Sequence, residues 1–177
     1  MKKSARKTPI RRALLDESEL LARVADGLGA LKRAGRERFE REIRNTFADS
    51  LDLDEAMRPG RDRDHRWEYL LGHHASETVI AVEPHSAAQG EVSVIISKCT
   101  RAKEQLRDHL RDGVKIAKWL WVASGKVTFS GIEKAARQLD QHGVEFVGTR
   151  VAAKHLPAAS ASGNARVANK PSRTRKK

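Results

Sequence analysis

The most regular hydrophobic pattern in this 177-residue chain lies in its middle, between positions 67 and 111. Two apolar segments, at 67–72 and 78–83, stand close together. The second is apolar without alternation, which is typical of a strand that is covered on both faces. Apolar residues then recur every three or four positions, which predicts one long helix at 91–111. We therefore expect two neighbouring strands followed by a helix that packs against them.

The C-terminal half repeats this succession of strand and helix. Positions 116–123 alternate Trp with Leu and Val, so both faces are apolar and a central strand is predicted. The Ser-Gly pair that follows predicts a turn into a short paired strand at 126–129, as in a hairpin. A helix at 132–142 and a last strand at 144–147 complete the predicted elements.

The N-terminal part, at 13–47, is predicted to be helical. Asp16 is placed to begin a helix whose leucines recur at helical spacing, and Glu19 completes a capping-box pattern. A second helical run carries its apolar residues on one narrow stripe. The segment at 48–66 is polar and rich in charge, which predicts an exposed connection. The predicted fold class is α/β, with a small central mixed β-sheet flanked by helices.

Charge divides the chain into one body and two tails. The net charge is +12, yet 1–12 and 157–177 together hold twelve Lys and Arg residues and no acid, so the body balances 23 basic against 23 acidic residues. We predict a single α/β domain at 13–156, with its sheet core at 66–151, between two disordered basic tails. Such tails bind polyanions by counterion release, so nucleic acid, DNA or RNA, is the expected partner.

Several classes of protein are disfavoured by what the sequence does not contain. It has no run of 18 apolar residues, so no membrane-spanning helix is expected, and no apolar segment follows the basic N-terminus as in a secretory signal. It has no Gly-rich phosphate loop, no pair of cysteines at metal spacing and no Gly-x-Ser-x-Gly elbow. The one cysteine, Cys99, is predicted to be a small core residue, and we expect a cytoplasmic protein.

Four residues in the central stretch carry candidate chemistry. Glu68 lies in the first predicted strand, and Glu83 ends the second, at a position where ligand sites gather in sheets flanked by helices. His85 follows two positions later. Lys98 lies at the edge of the apolar face of the helix, from which a long side chain can reach the rim of the sheet. Two carboxylates with a basic side chain nearby suit a divalent metal and a phosphodiester.

The order of these residues resembles the core of the PD-(D/E)XK nuclease superfamily, a restriction-endonuclease-like αββαββαβ arrangement, over roughly 36–151. The resemblance implies that Glu68 and Glu83 bind Mg²⁺ and that the protein is a metal-dependent nuclease. His85 stands where the superfamily has Lys, and it would orient or deprotonate the attacking water, since an imidazole titrates near neutral pH. Lys98 would supply the missing cation. The chain is also similar to uncharacterised bacterial proteins with a Glu-x-His-(Ser/Pro)-Ala segment followed by Trp-(Val/Ile)-Ala-Ser-Gly.

Three alternatives accompany this hypothesis. The replaced Lys and the neutral body favour a catalytically inactive module that keeps the nuclease fold and binds nucleic acid or a protein partner. His73, His74 and His85 would form a zinc site if they converged. Trp119 and Trp121 would stack on nucleic-acid bases if they were exposed, although aromatic residues on a central strand favour core packing.

Overall fold

One mixed sheet forms the frame of this protein. The computed structural model describes residues 7–60, 65–128 and 131–161. Within these ranges the strands are β1 (Ala25–Asp26), β2 (Phe47–Asp52), β3 (Tyr69–His73), β4 (Thr78–Ala87), β5 (Lys118–Val127) and β6 (Val144–Phe146), and they lie in the sheet in chain order. The first four pair antiparallel, whereas β5 pairs with β4, and β6 with β5, in parallel.

Helices and irregular segments cover both faces of the sheet. The described helices are α1 (Pro9–Ala13), α2 (Arg33–Arg36), α3 (Leu53–Met57), α4 (Glu91–Leu106) and α5 (Ile132–Gln141). Buried residues of α1, α4 and α5 pack on one face, and apolar residues from 31–47 and 147–151 pack on the other. The predicted class, α/β with a small mixed sheet flanked by helices, is confirmed. The restriction-endonuclease-like element order stays a prediction.

The strands in the middle of the sheet are buried on both faces, as their apolar runs predict. In β5, Trp119 and Trp121 belong to the core under α4, whereas Leu120 and Val122 belong to the opposite core. The tryptophans are therefore core residues, 6% and 0% exposed, and not a stacking platform. The helix predicted at 132–142 and the strand predicted at 144–147 are present within a residue of their predicted bounds.

α4 begins as predicted but ends at Leu106, five residues before the predicted end. Beyond it, Leu110 forms an isolated antiparallel bridge with Leu14, and the Arg111 N–H donates to the Ala13 carbonyl. Because residues 110 and 111 bond to the N-terminal segment, the helix ends before Gly113. Cys99 lies on the apolar face of α4 and is 1% exposed, which confirms its predicted place in the core.

The predicted turn and hairpin after position 123 are wrong. β5 runs on through Ser124 and Gly125, because the far end of β4 continues to pair with it: Ala87 pairs with Val127, and the Thr128 N–H donates to the Ala87 carbonyl. The register shifts between His85 and Ala87, which leaves extra residues of β5 in a bulge. Phe129, the end of the predicted short strand, lies outside the described residues.

The prediction of a helical N-terminal part at 13–47 is wrong. Ser18, not Asp16, caps a short 3-10 turn at Glu19–Arg23, and Gly27, with a φ of +55°, follows β1 in a turn. Leucines that recur at helical spacing are in fact divided between the two cores: Leu20 packs under α4, and Leu31 packs on the opposite face. The chain crosses from one face of the sheet to the other at the sheet edge. A single helix could not bury the leucines of both cores.

The segment predicted as a polar connection, at 48–66, contains most of strand β2. β2 begins at Phe47, and both polar residues at its centre, Asp49 and Ser50, are fully buried. Asp49 accepts hydrogen bonds from the backbone N–H groups of Ile10 and Arg11. These bonds fix α1, so the prediction of disorder is wrong for residues 9–12.

Most residues of the two predicted tails lie outside the part of the chain that the structure describes. Residues 1–6 and 162–177, which hold most of the predicted tails, lie outside the described residues. The Ser160 N–H donates to the Ala75 carbonyl, so the first residues of the second predicted tail contact the β3–β4 turn. Across the described ranges, no helix combines the length and apolar character needed to cross a membrane.

Candidate functional site

Two acids face each other across neighbouring strands on the α4 side of the sheet. Tyr69 pairs with Val82, so Glu68, directly before β3, lies opposite Glu83 in β4. The backbone N–H of Glu68 donates to Glu83 Oε2 at 2.7 Å. The expected place of Glu83 at a strand end is wrong, because β4 continues to Ala87 and the Glu83 side chain is 0% exposed.

Lys98 reaches this pair of acids from the helix above. Its Nζ donates to Glu83 Oε1, and the Lys98 side chain is only 19% exposed. Both oxygens of Glu83 therefore have a donor, one a cation and the other a backbone amide. Because Lys98 belongs to the second turn of α4, the helix that covers the core also carries the charge that neutralises the buried acid.

His85 lies on the same side of β4 as Glu83, two positions further along, and its ring is held between two carboxylates. His85 Nδ1 is 3.6 Å from Glu83 Oε1, and His85 Nε2 is 2.7 Å from Glu91 Oε2. Glu91 occupies the first turn of α4. The structure thus brings together the four residues singled out from the sequence, and it adds Glu91 as the partner of the histidine.

Burial, more than neighbouring charge, shifts the pKa values of the carboxylates at this site. Burial, helped by the charge of Glu68, raises the pKa of Glu83 to about 7, although Lys98 opposes the shift. Burial likewise raises the pKa of Glu68, although a hydrogen bond from the Tyr69 hydroxyl and the Lys98 charge oppose it. The pKa of Asp52, whose charge also acts on Glu68, is raised by burial too. Neighbouring acids with raised pKa values mark a candidate functional site.

The donors at this site suit a magnesium ion better than a softer metal. Carboxylate oxygens are the ligands Mg²⁺ prefers, and it uses only one or two of them beside water and phosphate oxygens. The carboxylate oxygens of Glu68 and Glu83 are of the ligand type that Mg²⁺ uses. Over the described residues, no group of three or more His, Cys, Asp or Glu side chains is arranged to hold a metal ion.

The zinc alternative is wrong for the described residues. His73 is buried in β3 and shares a hydrogen bond with Ser76, whereas His74 is exposed in the turn. His73 pairs with Thr78 at the start of β4, and His85 lies seven residues further along that strand. At about 3.3 Å per residue, the backbone positions of His73 and His85 are about 23 Å apart along the strand direction, too far for both to bind one metal ion.

Some residues of this site were not found from the sequence. Tyr69 was predicted only as a strand residue, and Asp52 was assigned to the polar connection. Lys32, whose charge acts on Glu68 and Asp52, was assigned to the helical N-terminal part. A local signal for Asp52 exists: an acid three residues before Glu55 is typical of a helix start, and Asp52 does cap α3 by accepting from the Glu55 N–H at 2.9 Å.

Comparison of the chain with protein-family models, with curated protein sequences and with solved structures finds no match.

Proposed function

We propose that this site hydrolyses phosphodiester bonds of nucleic acid with the help of Mg²⁺ held by Glu68 and Glu83. The observation that carries the proposal is that Lys98, His85 and the backbone N–H of Glu68 all meet the carboxylate of Glu83 within one cluster of contacts. When bound, Mg²⁺ would polarise the phosphate and lower the pKa of a coordinated water.

His85 is the residue that accepts the proton of the attacking water. If its Nε2–H donates to Glu91, the lone pair of the ring lies on Nδ1, on the side of Glu83. The water oxygen forms a bond to phosphorus, its proton passes to Nδ1, and the bond from phosphorus to the sugar oxygen breaks as that oxygen takes a proton from solvent. A positioned base of this kind contributes about 10²- to 10⁴-fold in rate.

Lys98 supplies positive charge at the same place. In the structure its ammonium group neutralises Glu83. With a phosphodiester bound, the same group would stabilise the charge that builds up on the phosphate oxygens. His85, which replaces the superfamily's lysine in this sequence, then only has to move a proton.

Nucleic acid is the proposed substrate because of the twelve cations in the terminal segments. The three described cations of the first segment are all in ion pairs, Lys7 with Asp16, Arg11 with Asp26 and Arg12 with Glu77, so the proposal relies on the other terminal cations. Deleting 1–6 and 162–177 leaves α1 intact, and we expect it to weaken retention of DNA or RNA at low salt while Mg²⁺ binding is kept.

A cleavage assay tests the proposal. Purified protein is incubated with single- and double-stranded DNA and RNA, with Mg²⁺ and with EDTA. We expect Mg²⁺-dependent cleavage that Glu68→Gln, Glu83→Gln and His85→Ala each reduce by at least about 100-fold. Glu104→Gln, an exposed acid on the same helix as Lys98, is the matched control and should keep the activity. Cleavage that survives in the Glu83→Gln variant would overturn the proposal.

A second function has one observation in its favour. Both oxygens of Glu83 are already bound within the protein, by Lys98 and by the Glu68 amide, which is also what a purely structural buried acid requires. A non-catalytic module would bind nucleic acid equally well with and without Mg²⁺, would leave it uncut, and would lose no affinity in the Glu83→Gln variant.

A further inference from the structure

A cavity of about 600 Å³ lies at the other end of α4 from the acid site. Its apolar floor includes Leu106 from the last turn of the helix, Ile116 from the segment before β5 and Trp119 from the start of β5. Arg107, on its rim, lies nine residues after Lys98, which corresponds to about 13 Å along the helix axis. Volumes of roughly 300 to 1,000 Å³ are typical of small-molecule sites. The cavity is thus a separate site on the same face of the sheet.

The rim of this cavity is strongly basic. Lys103, Arg107, Arg111 and Lys115 line it, against one acid, Asp112. Cations at the last turn of a helix are expected in any protein, because they offset the helix dipole. That reason applies to Lys103 and Arg107 but not to Arg111 and Lys115, which follow the helix. The rim of the cavity therefore carries more positive charge than the helix dipole explains.

The four cations differ in how far they are committed to the fold. Lys103 donates to the His142 carbonyl at 2.9 Å and lies 5.5 Å from the centre of the Trp119 ring. Arg111 binds Asp16 and the Arg12 carbonyl. Among the described residues, by contrast, the side chains of Arg107 and Lys115 have no ion pair or hydrogen bond, although both line the cavity. Two cations are thus available to a ligand.

We propose that this cavity binds a nucleoside phosphate. Its apolar floor would take the flat base, and Arg107 and Lys115 would bind the phosphate, for which the arginine fork is suited. A fatty acid would match the floor but carries a single negative charge, whereas four cations against one acid suit a dianionic phosphate. The nucleoside phosphate would come from a free mononucleotide or from the phosphorylated end of a strand.

Calorimetry in EDTA, which keeps Mg²⁺ away from the acid site, tests this inference. Adenosine monophosphate, adenosine, inorganic phosphate and an oligonucleotide with and without a 5′-phosphate are titrated into the full chain. We expect adenosine monophosphate to bind at least about tenfold more tightly than adenosine or phosphate alone, because base and phosphate are both held. A 5′-phosphorylated oligonucleotide that binds more tightly than the same oligonucleotide without the 5′-phosphate identifies a strand end as the source, and equal binding of the two, with adenosine monophosphate still bound, identifies the free nucleotide.

Two charge-matched double variants complete the test. Arg107→Gln with Lys115→Gln should weaken nucleotide binding by about tenfold to a hundredfold, the loss expected for hydrogen bonds to a charged group. Arg33→Gln with Arg101→Gln removes the same charge from exposed positions outside the cavity and should leave the affinity within about twofold. Absence of binding by either nucleotide ligand, or equal affinity in the two double variants, would overturn the assignment.

Discussion

Asp49 and Glu83 are both carboxylates with no exposed surface, yet the protein treats them differently. Asp49 is bound by two backbone N–H groups, from Ile10 and Arg11, and its bonds hold α1 against β2. Glu83 is bound by one backbone N–H and by the flexible side chain of Lys98, beside the acid Glu68. Asp49 therefore has a structural role in holding α1. Glu83 has a side-chain partner that can move away to a ligand.

Under the proposed function, this difference separates an acid that holds the fold from one that takes part in chemistry. Backbone donors that are fixed by a helix end cannot leave, so they stabilise one state of the carboxylate permanently. A lysine side chain can move to a ligand, and an acid whose pKa is raised by burial lowers the stability of the fold at neutral pH. We interpret Glu83 as an acid that is retained for its chemistry at some cost in stability.

The largest expected effect lies beside Asp49. An alanine at position 72 would place its Cβ 1.8 Å from Asp49 Oδ1, so the carboxylate or the strand must move. We expect Gly72→Ala to lower the free energy of unfolding by at least about 3 kcal/mol, measured by urea denaturation. Gly125→Ala, where a Cβ meets no atom within 4 Å, is the control and should cost much less. Equal costs would show that Asp49 is not tightly enclosed.

The next effect concerns the stability of the fold against pH. The pKa of Glu83 is raised from 4.5 to about 7, so the folded protein holds a proton that the unfolded chain has lost. The stability from this group is complete below pH 4.5 and is lost as the pH rises to about 7, a difference of about 3 kcal/mol. Glu83→Gln cannot lose a proton there, so its free energy of unfolding should exceed that of the wild type at pH 8 and match it at pH 4. Denaturation of both proteins at the two pH values measures this, and parallel curves would contradict it.

Asp49→Asn should act in the opposite direction. The asparagine presents an amide NH₂ where one carboxylate oxygen accepted a backbone N–H, so a hydrogen bond to a charged group is lost. We expect a loss of about 2 kcal/mol at pH 7 in the free energy of unfolding. Asp26→Asn, which breaks only an exposed ion pair with Arg11, should change it by less than about 0.5 kcal/mol. A stabilising Asp49→Asn would remove the contrast between the two acids.

The smallest expected effect is that of Glu91, which positions His85. Glu91→Gln keeps the shape of the side chain but weakens its bond to His85 Nε2. We expect kcat for phosphodiester cleavage to fall about tenfold with little change in KM, because the ring is held less firmly while substrate contacts are kept. A fall in affinity without a fall in kcat would show that Glu91 contacts the substrate instead.

The elements that were predicted well are those whose pattern is local. Long apolar runs mark β4 and β5, and a clear helical period marks α4. The side chains that these elements bury could be predicted from those patterns alone. β2 was missed because its buried polar residues have distant partners: Asp49 is satisfied by Ile10 and Arg11, and Ser50 by the Ala30 N–H. Nothing in the neighbouring sequence indicates such a hydrogen bond, so the polar residues of this buried strand predict an exposed loop.

The candidate site shows the same limit. Strand position and helix edge sufficed to select Glu68, Glu83 and Lys98. The burial of Glu83 was not predicted, since the strand was expected to end with the apolar run that precedes this acid. The structure explains why β4 continues: β3 begins at Tyr69, opposite Val82, so the missing N–H of Pro84 costs no bond on that side.

Calorimetric titration with Mg²⁺ at pH 8 tests most directly whether Glu83 and Glu68 form a cation site. We predict that the full-length chain binds one Mg²⁺ at millimolar concentration, and that the Glu104→Gln control does the same. The Glu68→Gln and Glu83→Gln variants should give no binding. A wild-type chain that binds no Mg²⁺, or a Glu83→Gln variant that binds it as well as the wild type, would contradict the account.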